Sequence, residues 1–160
     1  MNIALIASQG GHSGQMNIIF TEKVIGRNNV VFITEKEGQT EECSMKEKSF
    51  LKKFNTYYFR KDYLSFYPLR YFRAIFELRK IFKNEKIDLI ITNGAQISIP
   101  AVISAKLSGI KSIFFDTVIR VKTPDWSARA AYFFSDSFLV QHPNMAIKYG
   151  KNAKFAGGIL

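Results

Sequence analysis

Residues 2–20 read NIALIASQGGHSGQMNIIF, and this order of residue types decides the fold. An apolar run from Asn2 to Ala7 stops at Ser8, two adjacent glycines and His12 follow, and a helix-length segment begins at Gly14 and reaches Ile25. A short apolar run that leaves through glycines into a helix opens a βα unit. The run lacks a basic leader and ends in Gly10 and Gly11, so it reads as a first strand rather than a signal peptide.

The same alternation continues along the chain. Strand-like runs fall at Ile3 to Ala7, Val30 to Thr34, Thr56 to Phe59, Leu89 to Thr92, Ser112 to Phe115 and Phe138 to Gln141. Helix-length segments lie between most of them, at Gly14 to Ile25, Pro68 to Lys83, Ser98 to Leu107 and Ser127 to Phe134. This pattern predicts an α/β domain with a doubly wound, mainly parallel sheet. Near-continuous apolar strands such as Ile87 to Ile91 suit a sheet covered on both faces. The polar stretch Glu35 to Lys53 is expected to form a surface loop with a short helix. Another strand is expected just before the closing FAGGIL.

At 160 residues and 47% hydrophobic content the chain has the size and apolar material of one domain, spanning 1–160. Lys and Arg number 23 against 13 Asp and Glu, a formal net charge of +10 that favours anionic partners. Cys43 is the sole cysteine, which rules out an internal disulfide and a CxxC zinc site and fits a reducing, cytosolic compartment. No apolar stretch approaches the roughly 18 residues a membrane span requires, so membrane contact is expected at the surface.

In an open parallel sheet, ligands sit beyond the carboxyl ends of the strands, where amides at a helix start can receive an anion. Gly10 and Gly11 permit close approach there, with Ser8 beside them and His12 at the mouth of the crevice. A P-loop is excluded, since no lysine follows the glycines. The dinucleotide fingerprint G-x-G-x-x-G is a near miss: Gly11 and Gly14 fit its last two glycines, and Gln9 stands at its first. Glu35, near the end of the second strand, keeps that alternative open as an acidic ribose ligand. A tight turn with no ligand is the third reading.

A second glycine turn, Asn93-Gly94-Ala95-Gln96, follows the strand Leu89 to Thr92 and leads into a helix near Ser98. In a sheet ordered 3-2-1-4 the first and fourth strands are neighbours, so both turns and both helix starts would face one ligand, an arrangement suited to a diphosphate. Asn93 and Ser98 also suit plain turn and cap roles. Beyond the next strand, Asp116 could orient a hydroxyl and Arg120 bind phosphate, or the two could brace the loop as an ion pair. His142 precedes Pro143 and reads as a strand terminator rather than a catalytic group.

From Arg60 to Lys83 aromatic residues interleave with cations. Leu64, Tyr67, Tyr71, Ile75, Leu78 and Phe82 recur at helical spacing, while Phe66, Leu69, Phe72 and Phe76 add further apolar area beside Arg70 and Arg73. One face can pack on the sheet; the surplus suits the headgroup region of an anionic bilayer, which makes 60–83 a candidate membrane-associating segment with Phe66, Tyr67, Leu69, Arg70, Tyr71, Phe72, Arg73 and Phe76 as its expected contacts. An ordinary amphipathic helix with a solvated basic face reads equally well. Nucleic acid is not expected, because no RNP-like, KH or zinc-knuckle motif accompanies the segment.

Taken together, IALIASQGGHSGQM, IDLIITNGAQISIPAVISAKLSGIKSIFFDTVIRVK and FLVQHPNMAIKYGKNAKFAGGIL resemble the acceptor-binding subunit of two-part UDP-sugar glycosyltransferases. That group holds the membrane subunit of a eukaryotic UDP-GlcNAc transferase and bacterial PssD-type or capsule-biosynthesis homologues, and it is related to MurG. The resemblance covers nearly the whole chain. Where many members carry Glu before Met in the first helix, this chain has Gln15 before Met16, and Asp116 stands where Glu usually ends the fifth strand.

The resemblance implies a Rossmann-like, N-terminal acceptor half of a GT-B glycosyltransferase, with the UDP-sugar held by a separate donor-binding subunit. No second α/β domain is expected within residues 1–160, in keeping with that implication. It further implies a polyprenyl-diphosphate-linked sugar as acceptor, an inverting transfer in bacterial capsule or exopolysaccharide synthesis, and a peripheral place on the inner face of the cytoplasmic membrane. Ser8, Gly10, Gly11, His12, Asn93, Gly94, Ala95, Gln96, Asp116 and Arg120 would line the acceptor site. His12 would serve as base or positioning group, and Gly157, Gly158, Ile159 and Leu160 would meet the partner. No metal or cofactor is expected. The alternative is a non-catalytic accessory or nucleotide-binding module that anchors or regulates a partner.

Overall fold

The computed structural model describes residues 1–36, 51–60 and 68–157. Most of the loop expected over Glu35 to Lys53 lies outside them. Within the described residues the strands are β1 (Asn2–Ile6), β2 (Asn29–Lys36), β3 (Asn55–Arg60), β4 (Leu89–Thr92), β5 (Lys111–Phe115), β6 (Ser137–Val140) and β7 (Ala153–Phe155). They form one sheet ordered β3-β2-β1-β4-β5-β6-β7, with every neighbouring pair parallel. The helices are α1 (Gly11–Ile19), α2 (Glu22–Ile25), α3 (Pro68–Asn84), α4 (Ser98–Leu107), α5 (Trp126–Phe134) and α6 (Pro143–Tyr149). This is a Rossmann-like α/β architecture, and the strand order reverses between β1 and β4.

The period-2 alternation of the strands sends successive side chains to opposite faces. Ala4, Ile6, Ile33, Ile90, Phe114 and Val140 point into the larger core, where α3 buries Ala74, Leu78 and Phe82. Small residues let α4 and α5 approach closely in that layer, since Ala101, Ala105, Ala128 and Ala131 are all buried. Leu5, Ala7, Phe32 and Ile91 face the other side, against Met16 of α1 and Leu51. Phe114 and Phe138 stack across β5 and β6 with centroids 4.7 Å apart, and Tyr149 and Tyr132 close the aromatic group.

Two boundaries differ from the sequence reading. The first helix begins at Gly11, not Gly14, because Gly10 takes φ 90° and its carbonyl receives the Gly14 amide at 3.0 Å. Gly11 and His12 therefore occupy the first helical turn. The helix also breaks at Phe20 (φ −95°, ψ 64°), and a new turn starts where the Val24 and Ile25 amides bond to the Thr21 carbonyl. Helix α6 was not anticipated. Its signal was Pro143, whose fixed φ suits the first position of a helix that follows an extended His142.

Candidate functional site

The carboxyl ends of β1, β4 and β5 meet at the point where the strand order reverses. β1 delivers Ser8 to Gly11, β4 delivers Asn93 to Gln96, and β5 delivers Asp116 and Thr117. Gly10 at φ 90° and Gly94 at φ 101° adopt backbone that L side chains rarely reach, and Ala95 enters the left-handed region at φ 61°. The demand at Gly94 is also steric: a Cβ there would stand 2.8 Å from His12 Cε1. At Gly11 the protein makes no such demand, since an added Cβ would meet no atom within 4 Å.

Asn93 ties the two turns together. Fully buried, it donates from Nδ2 to the His12 carbonyl at 2.7 Å and to Gln15 Oε1 at 3.4 Å, while Gln15 Nε2 donates to Thr117 Oγ1 at 3.1 Å. The thread links the β1, β4 and β5 turns. Within the second turn, Ser98 Oγ bonds to the Gly94 carbonyl and lies 2.7 Å from Thr92 Oγ1, so Ser98 serves the turn itself. Among the described residues, His12 Nδ1 and Asn93 Oδ1 are buried without a hydrogen-bond partner. Burial holds the His12 imidazole below its ordinary pKa of 6.5; hydrogen bonding at the Asn93 main chain opposes this and the Arg120 charge adds to it. The ring is thus neutral at neutral pH, the state in which it can accept a proton.

Asp116 is buried beside this thread. Its Oδ1 accepts the Thr117 amide at 3.0 Å, Gln141 Nε2 donates to its carbonyl at 3.0 Å, and among the described residues Oδ2 has no close hydrogen-bond partner, the Tyr149 hydroxyl interacting with the carboxylate at longer range. Burial raises its pKa, partly countered by Arg120, the Thr117 amide, and the nearby Tyr149 and His142. Arg120 Nε stands 3.7 Å from Asp116 Oδ1, and Nη1 stands 3.1 Å from Asp125 Oδ2. The bracing ion pair foreseen for Asp116 and Arg120 is therefore present, with Asp125 as an addition the sequence did not suggest. His142 is likewise structural, its Nε2 2.6 Å from the Val118 carbonyl.

A family model described as "Oligosaccharide biosynthesis protein Alg14 like" matches residues 3–159. The chain belongs to the Alg14-like family. The human UDP-N-acetylglucosamine transferase subunit ALG14 is 34% identical over 73 residues, covering 42% of this chain and 34% of its own. A second relative, from Clostridium novyi, is the UDP-N-acetylglucosamine--N-acetylmuramyl-(pentapeptide) pyrophosphoryl-undecaprenol N-acetylglucosamine transferase, 31% identical over 87 residues, 54% of this chain and 23% of its own. The chain thus matches about a third or less of the length of these curated relatives. Among solved structures, Acinetobacter baumannii MurG superposes with a TM-score of 0.73 at 16% identity, over 96% of this chain and 44% of that one, a likeness of fold.

The remaining expected positions of this Alg14-like chain distribute as follows. Phe66 and Tyr67 lie outside the described residues, as do Gly158, Ile159 and Leu160; Gly157 is described, at φ 87°. Leu69 and Arg70 fall in the first turn of α3. Phe72 and Phe76 are 60% and 66% exposed, and Arg73 is exposed with them. Tyr71 turns inward instead: its hydroxyl donates to the Gln96 carbonyl at 3.2 Å, and burial, with the Glu35 charge, pushes it up to about 12. Glu35 sits near the carboxyl end of β2 as expected, buried and facing Tyr71. Among the described residues no helix is long and apolar enough to cross a membrane, and no group of His, Cys, Asp and Glu is placed to hold a metal ion. Gln15, Thr117 and Ser98 are the connecting residues that sequence reading gave no site role; only their place in the fold marks them.

Proposed function

We propose that this chain is the acceptor-binding subunit of a glycosyltransferase, taking a polyprenyl-diphosphate-linked sugar and receiving a sugar from a UDP-sugar held by a donor-binding partner. One observation carries the reading. Two glycine turns and the start of α1 converge at the sheet's switch point on a half-buried, neutral His12 and on the buried Asn93, each with a buried polar atom unpartnered among the described residues. The amides of Gly10, Gly11 and the Gly94 turn would cradle the diphosphate, with Ser8, Gln96, Asp116 and Arg120 around it.

In this reading the acceptor hydroxyl oxygen attacks the anomeric carbon of the donor, the bond to UDP breaks with its electron pair leaving on UDP, and His12 takes the hydroxyl proton. The donor site is assigned to a partner because the human relative is itself named a subunit. The outward stripe of α3, with Phe72 and Phe76 above Arg79, Lys80 and Lys83, would hold the chain peripherally on the inner face of the cytoplasmic membrane. The saccharide class is bacterial capsule or exopolysaccharide, as the resemblance to PssD-type proteins implies.

The test is transfer of labelled sugar from a panel of UDP-sugars to a lipid-diphosphate sugar, using this chain alone, a donor-binding subunit alone, and both. Activity confined to the mixture is the expected result and names the donor. Equal activity in the partner alone would reduce this chain to an accessory module.

A further inference from the structure

The loop joining β5 to α5 projects from the same carboxyl edge as the crevice and carries a feature the site does not use. Its residues Ile119, Val121 and Trp126 are 82%, 48% and 48% exposed. Such exposure of large apolar groups is costly in water unless something covers them. The loop is held in shape: the Arg120 amide bonds to the Thr117 carbonyl at 3.2 Å, Arg120 and Asp125 close its base at 3.1 Å, and Lys148 Nζ donates to the Lys122 carbonyl. Because Arg120 neutralises Asp125, the cations Lys122 and Lys148 dominate the charge at the tip.

We infer that this tip is a bilayer-inserting wedge, with Ile119, Val121 and Trp126 entering the headgroup region of an anionic membrane and Lys122 and Lys148 above them on lipid phosphate. The inference rests on the proposed lipid-linked acceptor: a diphosphate seated at this edge requires its lipid tail to leave from the same edge. The exposed faces of Ile119, Val121 and Trp126 fall well short of the about 800 Å² per partner that a stable protein interface buries. Three apolar groups with a tryptophan beside cations are the composition of an interfacial anchor. Phe72, on the first turns of α3, and Trp126, at the start of α5, flank the start of α4 in one helical layer, so the crevice would open toward the membrane between two points of attachment.

Trp126 is the only tryptophan, so its emission reports on the tip alone. The full chain is titrated with phosphatidylglycerol/phosphatidylcholine vesicles, with sedimentation to measure binding and brominated lipids to measure depth. The expected result is a blue-shifted Trp126 emission quenched by shallow bromines, and an Ile119→Glu variant that melts like the parent but binds vesicles about tenfold more weakly. A chain that sediments with vesicles while Trp126 stays unshifted and unquenched overturns the wedge and leaves the acceptor-site reading standing. Absence of any vesicle binding overturns the wedge together with the α3 attachment. An emission shift that requires the donor-binding subunit and not lipid would make the tip a protein contact, which also overturns it.

Discussion

The two ends of the sheet treat their polar groups differently. At the amino ends the groups answer one another: the Asn2 amide donates to Asp88 Oδ2 at 2.8 Å, Asn2 Nδ2 to the Lys86 carbonyl at 2.9 Å, and the Ser112 amide and hydroxyl to Asp136 Oδ2 at 2.8 and 3.0 Å. Ser135 Oγ is a buried exception there. At the carboxyl ends, His12 Nδ1, Asn93 Oδ1 and Asp116 Oδ2 are buried without close hydrogen-bond partners among the described residues. Unpaired buried polar atoms cost stability unless a ligand meets them. One end of the sheet closes the fold. The other, in the proposed reading, presents groups to a ligand.

Substitutions should divide along that line. The largest effect is expected at Gly94→Ala, where positive φ and the 2.8 Å approach to His12 act together. It should lower stability by about 2 kcal/mol and reduce transfer more than about tenfold, read by thermal melting and by the two-subunit assay. Asn93→Ala removes the clamp between the turns and should cost about 1–3 kcal/mol, with transfer falling further than the melting change explains. Asp136→Ala, at the other end, should cost about 1 kcal/mol and leave transfer per folded molecule unchanged. If Asp136→Ala lost transfer as Asn93→Ala does, the contrast between the two ends would fail.

Two titrations sharpen the contrast further. Burial raises the Asp116 pKa above 3.8, so the folded state holds that proton more tightly than the unfolded state. The resulting stability is complete below pH 3.8 and is lost as pH rises through the raised value. Asp116→Asn should therefore melt no lower than the parent at pH 7 and show a flatter pH dependence. For His12 the shift is downward, so the acid limb of kcat/KM should fall below pH 6.5 if the imidazole is the base. A limb at or above pH 7 would point to another group.

Much of this was legible in the sequence. Alternating apolar runs and helix-length segments predicted the parallel sheet, and a 3-2-1-4 order, with β1 beside β4, puts the two glycine turns side by side. The surplus aromatics of the 60–83 segment also separated correctly where the structure describes them: Leu78 and Phe82 are buried while Phe72 and Phe76 are exposed. What could not be read was the bonding between turns. Gln15 and Thr117 look like ordinary surface polar residues, and their partners lie about 80 to 100 residues away in sequence, while Asp125 meets Arg120 only because the loop between them folds back. Tyr71 was grouped with outward aromatics, although its 71, 75, 78, 82 spacing already placed it on the inward face.

The most direct test of the central claim uses Gly11, where the protein's own packing tolerates a side chain but a diphosphate on the α1 amides would not. Binding of a short-chain, water-soluble prenyl-diphosphate-linked sugar is measured for the parent and for Gly11→Ala, alongside melting temperature. The account predicts an unchanged or slightly higher melting temperature, since alanine favours the first helical turn, together with binding at least about tenfold weaker. Equal binding by the two proteins would contradict it.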